Sequence, residues 1–264
     1  MSRARLLRMA RDAHDAVSTA LRLDGPRPDP AAGIFETTLI VAGKAVEVDA
    51  HLARLERSLD ALYGLPLPGE ARARIDEGAS GLALGRLRLT VVPGAAPAVR
   101  TAEVDRAVVF PERPSDMAPV TVPGGIGAHK WADRRLLERA DADVGPAMPL
   151  LVDADATVLE GSRSNVFVVR AGELTTPPAD GRILPGVARA RAIDVARKIG
   201  IEVVERSLTV KELAEADEVF ATGGVRGVEP IGRCAGVGDW DSGEFTARIS
   251  AELQRAWLGA DPSS

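Results

Sequence analysis

Cysteine is nearly absent. Cys234 is the only one in 264 residues, so no intrachain disulfide can form and a cysteine-based zinc site is excluded. The three histidines, His14, His51 and His129, are too scattered to read as a metal cluster. No apolar run approaches the ~20 residues of a membrane span. The first residues are basic but lack an apolar core followed by a small-residue cleavage site, so no secretory signal is expected. The sparing use of cysteine suits a reducing, cytoplasmic setting. A net charge of −5 is far from the concentrated basic face that nucleic acid requires. Lysine is scarce, with Lys44, Lys130, Lys198 and Lys211 the full set, and Tyr63 is the one tyrosine.

What is present is ordinary for a globular chain: 45% hydrophobic and 27% charged residues, enough for one large domain or two smaller ones. Residues 3–22 have helical apolar spacing and end at Gly25-Pro26-Arg27-Pro28. Residues 33–41 read as a strand, 42–44 as its turn and 45–48 as the return strand. Asp49 is placed to cap a helix whose Leu52, Leu55, Leu59 and Leu62 share a face, with Gly64 closing it. Residues 86–92 alternate as a strand, and 107–110 read as a shorter one. The proline-rich stretch 111–119 loses periodicity and marks a connection between domains 1–115 and 116–264. Beyond it, strands are expected at 120–122, 150–153, 157–159, 166–169, 202–205 and 218–221. Helices are expected after Arg135, from Val187 to Gly200, over 210–216 and over 242–257. Antiparallel hairpins mixed with helices give an α+β class.

Three features carry chemistry. Lys130 ends a glycine-rich approach and precedes a helix. A partly desolvated lysine there has a lowered pKa, and its neutral amine forms Schiff bases. Lys44 lies in a turn and Lys198 and Lys211 on exposed-looking faces, so Lys130 is the candidate for such an enzyme. Leu184-Pro185-Gly186-Val187-Ala188 opens a helix whose free amides and dipole favour an anion, and Thr222-Gly223-Gly224 offers a second set of amides. Glu160 stands at a strand end among apolar neighbours, where an acid needs a partner. The segment Glu160-Gly161-Ser162-Arg163-Ser164-Asn165 has the look of a ligand-gripping loop, but taken alone it reads first as an ordinary hairpin. By helical spacing alone Arg54 reads as a surface residue with a packed stem.

Taken together, Phe35-Glu36-Thr37, His51-Leu52-Ala53-Arg54, Lys130, Glu160 to Phe167, Thr176-Pro177, Leu184 to Arg189 and Ala216 to Phe220 resemble the class IV aminotransferase family, the fold-type IV pyridoxal-phosphate enzymes. The similarity runs from about Gly33 to about Gly232. It implies a small N-terminal α/β domain, a larger α/β cofactor domain and a homodimer. It implies that Lys130 holds pyridoxal 5′-phosphate and shuttles protons, and that Glu160 pairs with the pyridine nitrogen. Arg54, the amides of Val187 and Ala188, and Gly223 and Gly224 would take the phosphate, with Leu184 and Asn165 also at the cofactor. Gly224 stands where many relatives carry threonine or serine, unless Thr222 substitutes. No tyrosine follows Lys130, which departs from branched-chain aminotransferases. Thr37 as proton-transfer aid and Arg88 and Arg163 as carboxylate receivers resemble the 4-amino-4-deoxychorismate lyase branch, which makes 4-aminobenzoate for folate biosynthesis. A branched-chain or D-amino-acid aminotransferase is the alternative. A non-catalytic binding protein is a third reading, opposed by the retention of Lys130 and Glu160. The usual N-terminal strand and its Gly-Asp-Gly approach are missing, with a helix and Asp29-Pro30-Ala31-Ala32 in their place.

Overall fold

The computed structural model describes residues 21–259, apart from 24 and 26. The helix expected over 3–22 lies outside the described residues as far as residue 20. Its last two residues, Leu21–Arg22, form a short strand instead, β1.

Two sheets organise the chain. In the smaller, β2 (Ile34–Val41), β3 (Lys44–Ala45), β4 (Leu84–Val91) and β5 (Ala98–Glu103) run antiparallel in the order β3-β2-β4-β5. Side chains alternate across β2. Ile34, Glu36, Thr38 and Ile40 face two helices, α1 (Val48–Tyr63) and α2 (Ala71–Ala79), whose Leu52, Leu55, Leu59 and Ile75 fill the layer. Phe35, Thr37 and Leu39 point the other way, and Leu39 joins the core of the larger sheet. Strand β2 therefore has two buried faces, one of which carries a glutamate. Asp49 does not cap α1: the helix starts at Val48 after Glu47, and Asp49 pairs with Arg72.

The larger sheet contains β6 (Ser115–Thr121), β7 (Met148–Val152), β8 (Thr157–Gly161), β9 (Asn165–Arg170), β10 (Glu173–Thr176), β11 (Val203–Glu205), β12 (Leu208–Thr209), β13 (Glu218–Gly223), β14 (Gly227–Cys234) and β15 (Gly238–Asp239). Its order is β11-β10-β9-β13-β14-β6-β7-β8-β12, with β1 on β6 and β15 on β14. Helices α3 (Arg135–Val144), α4 (Val187–Lys198), α5 (Val210–Ala214) and α6 (Glu244–Leu258) complete the described residues. Phe167 and Phe220 sit directly opposite each other on β9 and β13, and their rings stack with centroids 4.8 Å apart. Ala192, Ile193 and Ala196 of α4 and Ile249, Leu253 and Trp257 of α6 share the core cluster that holds both rings. The class is α+β, as expected.

Three further expectations fail locally. The return strand expected over 45–48 is only Lys44–Ala45, and Val48 already opens α1. Residues 107–110 are not a strand, since Arg106–Val108 is a 3₁₀ turn. The stretch 111–119 is not wholly a connection, because β6 begins at Ser115 and runs through Pro119. Pro119 fits because of its place in the ladder. β14 pairs with β6 only as far as Met117, and β1 pairs only from Val120, so neither strand needs the missing N–H.

Candidate active site

A cleft of about 770 Å³, counted to its open mouth, lies among Lys130, Arg54, Glu160 and the start of α4. Lys130 is fixed through its backbone. Its carbonyl accepts from Phe35 N–H at 2.9 Å, and Ala132 N–H donates to Gly33 O at 2.9 Å, so residues 130–132 pair with the start of β2. His129 and Trp131, on either side, are held by Ser58 Oγ and Ile126 O at 3.0 and 3.1 Å. The Lys130 side chain is left free at the cleft wall, without a hydrogen bond or ion pair among the described residues. Its Nζ lies 5.1 Å from the Phe35 ring centre. Burial, then the nearby Arg54 charge, lowers the ammonium pKa to about 8. Near neutral pH a useful fraction is therefore the nucleophilic amine.

Arg54 corrects the surface reading: it is 4% exposed. Its Nε and Nη2 donate to Glu36 Oε1 and Oε2 at 2.8 and 2.6 Å, and Nη1 donates to Pro185 O at 3.0 Å. His51 Nδ1 meets Glu36 Oε2 at 2.7 Å. Burial raises the Glu36 pKa, but Arg54 and the His51 hydrogen bond outweigh it and hold the carboxyl at about 2. Glu36 thus fixes the guanidinium from behind while two of its five N–H groups stay unused. The next elements bring an anion site to that face. Gly186 precedes α4, and the N–H groups of Val187 and Ala188 have no helical carbonyl to bond. A β-carbon on Gly186 would overlap Asn165 Oδ1, so only glycine allows this approach.

Glu160 is buried on β8. It accepts from Leu184 N–H at 3.1 Å and from Asn165 Nδ2 at 3.4 Å, and Asn165 Nδ2 also donates to Leu184 O at 2.9 Å. It forms no ion pair among the described residues. Burial drives its pKa up to about 8. At the turn after β13, a β-carbon on Gly224 would lie 2.9 Å from Thr37 O and 3.4 Å from His51 Cε1, so this position has no room for a side chain. Thr222 stands directly opposite Asn165 in the β9–β13 pair, and opposed residues share a face. Its Oγ1 is buried without a partner among the described residues.

The structure thus brings Thr37, Arg54, Lys130, Glu160, Arg163, Asn165, Leu184, Val187, Ala188, Gly223 and Gly224 to one cleft. Arg88 does not line it. Its guanidinium stacks 3.7 Å from the Phe35 ring centre, beside Thr37, which it opposes across β2 and β4. The sequence reading missed Glu36 and Arg134 as parts of the site. A charge at an inward position of an alternating strand was the available signal for Glu36. Arg134 lay inside a charged run and gave none. The arrangement can hold a planar group with an anion at Arg54 and the α4 amides, a protonated nitrogen at Glu160 and a carbonyl carbon near Lys130.

Residues 33–234 match the model of the amino-transferase class IV family. A stretch of 73 residues is 51% identical to branched-chain-amino-acid aminotransferase 3, chloroplastic, of Arabidopsis thaliana, covering 28% of this chain and 18% of that protein. The chain therefore matches less than a fifth of that relative's length. The 4-amino-4-deoxychorismate lyase of Pseudomonas aeruginosa superposes with a TM-score of 0.71 at 27% identity, over 87% of this chain and 94% of that one. A hypothetical aminotransferase from Mycobacterium tuberculosis, in its PLP-bound form, superposes with a TM-score of 0.74 at 24% identity, over 91% and 96%.

Proposed function

The chain belongs to the class IV amino-transferase family, whose members use pyridoxal phosphate, and we propose that it is a 4-amino-4-deoxychorismate lyase giving 4-aminobenzoate and pyruvate. The observation that carries this choice is the charge of the cleft. Arg54, Lys130, Arg134 and Arg163 line it against only Glu160 and Asp133. Glu36 and the phosphate claim Arg54, and Asp133 is taken by Arg135, so Arg134 and Arg163 are left to face an anionic ring substrate, whereas a branched aliphatic side chain has no use for them. The local identity to a branched-chain aminotransferase favours the second reading, an aminotransferase of branched-chain or D-amino-acid type. The proposal includes a cytoplasmic homodimer with domains 1–115 and 116–264. The passage from one sheet to the other between β5 and β6 supports that division, and among the described residues no helix is long and apolar enough to cross a membrane.

The residues present fit the cofactor. Among the described residues Glu160 is a buried acid without an ion pair, and Thr222 Oγ1 is a buried hydroxyl without a partner. A protonated ring nitrogen answers the first and a phosphate oxygen the second. Arg54, the Val187 and Ala188 amides and Thr222 would hold the phosphate, Leu184 the ring face, and Lys130 the aldehyde carbon. When bound, pyridoxal phosphate supplies an electron-withdrawing ring that stabilises negative charge on the substrate beside its amine. Thr222→Val is expected to weaken pyridoxal phosphate binding roughly 10-fold, the loss of one hydrogen bond to a charged group. Pyridoxal, which lacks the phosphate, should bind unchanged. Equilibrium dialysis of both measures the difference.

In the lyase reading, a ring carbon of the substrate loses its proton, the ether C–O bond breaks, and the departing enolpyruvate gains a proton. Lys130 Nζ, near neutrality and unpartnered, takes the first proton. The Thr37 hydroxyl, part-exposed at the cleft, relays the second. Glu160 keeps the ring-nitrogen proton in place. The test supplies aminodeoxychorismate without any 2-oxo acid and measures 4-aminobenzoate and pyruvate. Both products should appear in equal amounts, and strict dependence on an acceptor overturns the lyase reading.

A further inference from the structure

Arg134 is the residue before α3 and lines the cleft. A guanidinium has five donors, and one is used here: Nη2 donates to Ser162 O at 3.0 Å. The two acids beside it are committed elsewhere. Asp133 accepts from Arg135 Nε and Nη2 at 2.9 and 2.7 Å and from Asp29 N–H at 3.0 Å. Asp141 accepts the Ser162 hydroxyl at 2.9 Å and lies 3.6 Å from Arg163. Arg134 forms no ion pair among the described residues. Burial first, then the like charges of Arg163 and Arg88, lowers its pKa, with Asp141 and Glu138 only partly opposing them. Around the Phe35 ring three cations gather, with Arg88 Cζ at 3.7 Å from its centre, Lys130 Nζ at 5.1 Å and Arg134 Cζ at 6.0 Å.

A part-buried guanidinium with four unused donors, crowded by its own sign, is costly unless an anion arrives. We infer that Arg134 is the specificity-determining seat for the substrate carboxylate, held ready by the Ser162 carbonyl and able to grip it with two parallel N–H groups. This rests on the reading of the cleft as a site for an anionic aromatic amine. Arg163 is the weaker seat. Its side chain is 66% exposed and already leans on Asp141, so water screens what it offers. Arg88 does not line the cleft, and its guanidinium shares the Phe35 ring with Arg134.

The test titrates the pyridoxal-phosphate-loaded protein with 4-aminobenzoate and with aniline, its analogue without the carboxylate, by calorimetry. Wild type should prefer 4-aminobenzoate. Arg134→Gln keeps a donor for Ser162 O but removes the charge and the fork. It should weaken 4-aminobenzoate on the order of 10- to 100-fold and leave aniline unchanged. Arg134→Lys, which keeps the charge alone, should fall between. It carries the same readout if the glutamine variant does not fold, judged by its melting temperature and bound-cofactor absorbance. A wild-type preference preserved in Arg134→Gln, or lost in Arg163→Gln instead, overturns the assignment while the anionic-substrate reading stands. No preference in the wild type overturns both.

Discussion

Lys130→Ala is expected to stay folded, to lose the visible absorbance of the pyridoxal-phosphate-loaded protein and to cut turnover by at least ~10³-fold, well within the range for a positioned proton-transfer group. The fold should survive because residue 130 supports it through its backbone. The Lys130 carbonyl accepts from Phe35 N–H, and alanine keeps that bond. Among the described residues the side chain has no hydrogen bond or ion pair to lose. Its removal even relieves charge crowding, since Arg54 and Arg134 both destabilise the ammonium form. No other lysine is placed to replace its chemistry. Lys44 opens strand β3 just past the hairpin turn, and Lys198 and Lys211 sit on helices α4 and α5, all three away from the cleft lining. Absorbance, far-ultraviolet circular dichroism and steady-state turnover check the three parts separately. A variant that keeps the visible band removes Lys130 from its assigned role. One that loses structure along with the band shows that the side chain, and not only the backbone, holds the start of β2.

The same separation of backbone and side chain explains what could be read in advance. The helix 48–63 and the strand 84–91 announce themselves because each buries one face at its own period, and the strand 34–41, buried on both faces, by its β-branched and aromatic run ahead of a glycine turn. Helix α2 was invisible because its buried face is Ala71, Ile75 and Ala79, set among arginines and acids. Pro119 read as a break because proline lacks an N–H, and only the pairing order of β1 and β14 shows that none is needed there. Lys130, Glu160 and the Pro185-Gly186 turn were legible as local motifs. The burial of Arg54 was not, since its partner Glu36 lies 18 residues away on another element. His51 and Arg54, three apart on α1, looked like surface neighbours for the same reason. Arg134 sits in Asp133-Arg134-Arg135, a run that suggests a solvated ion pair. The pair does form, but between Asp133 and Arg135, and that leaves Arg134 to the cleft.

Glu160→Gln is expected to flatten the pH dependence of stability of the cofactor-free protein. The sign follows from burial. The Glu160 carboxyl has its folded pKa raised from 4.5 to about 8, so between those values the native state holds a proton that the unfolded chain has released. Stability must then fall as pH rises through that window, by at most ~1.4 kcal/mol per pH unit. For a chain of this size that is roughly 2–5 °C in melting temperature per unit. Above about 8 the sign reverses. Lys130, lowered from 10.5 to about 8, is already neutral in the native state while the unfolded chain still carries its proton, so stability recovers with pH. The cofactor-free wild type should therefore melt lowest near pH 8. The glutamine variant keeps the volume and the acceptor for Leu184 N–H, and should lose the descending limb while keeping the rise. Adding pyridoxal phosphate should lift the wild type most where its melting curve dips, because a protonated ring nitrogen gives the ionised carboxylate its missing partner. The variant, with no carboxylate to rescue, should show a smaller and pH-independent gain. Differential scanning fluorimetry from pH 5 to 10, with and without cofactor, distinguishes these cases. A wild-type profile that matches the glutamine variant's across pH 5 to 8 would mean that Glu160 is ionised and already satisfied without the cofactor. Its assignment to the ring nitrogen would then lose its physical basis.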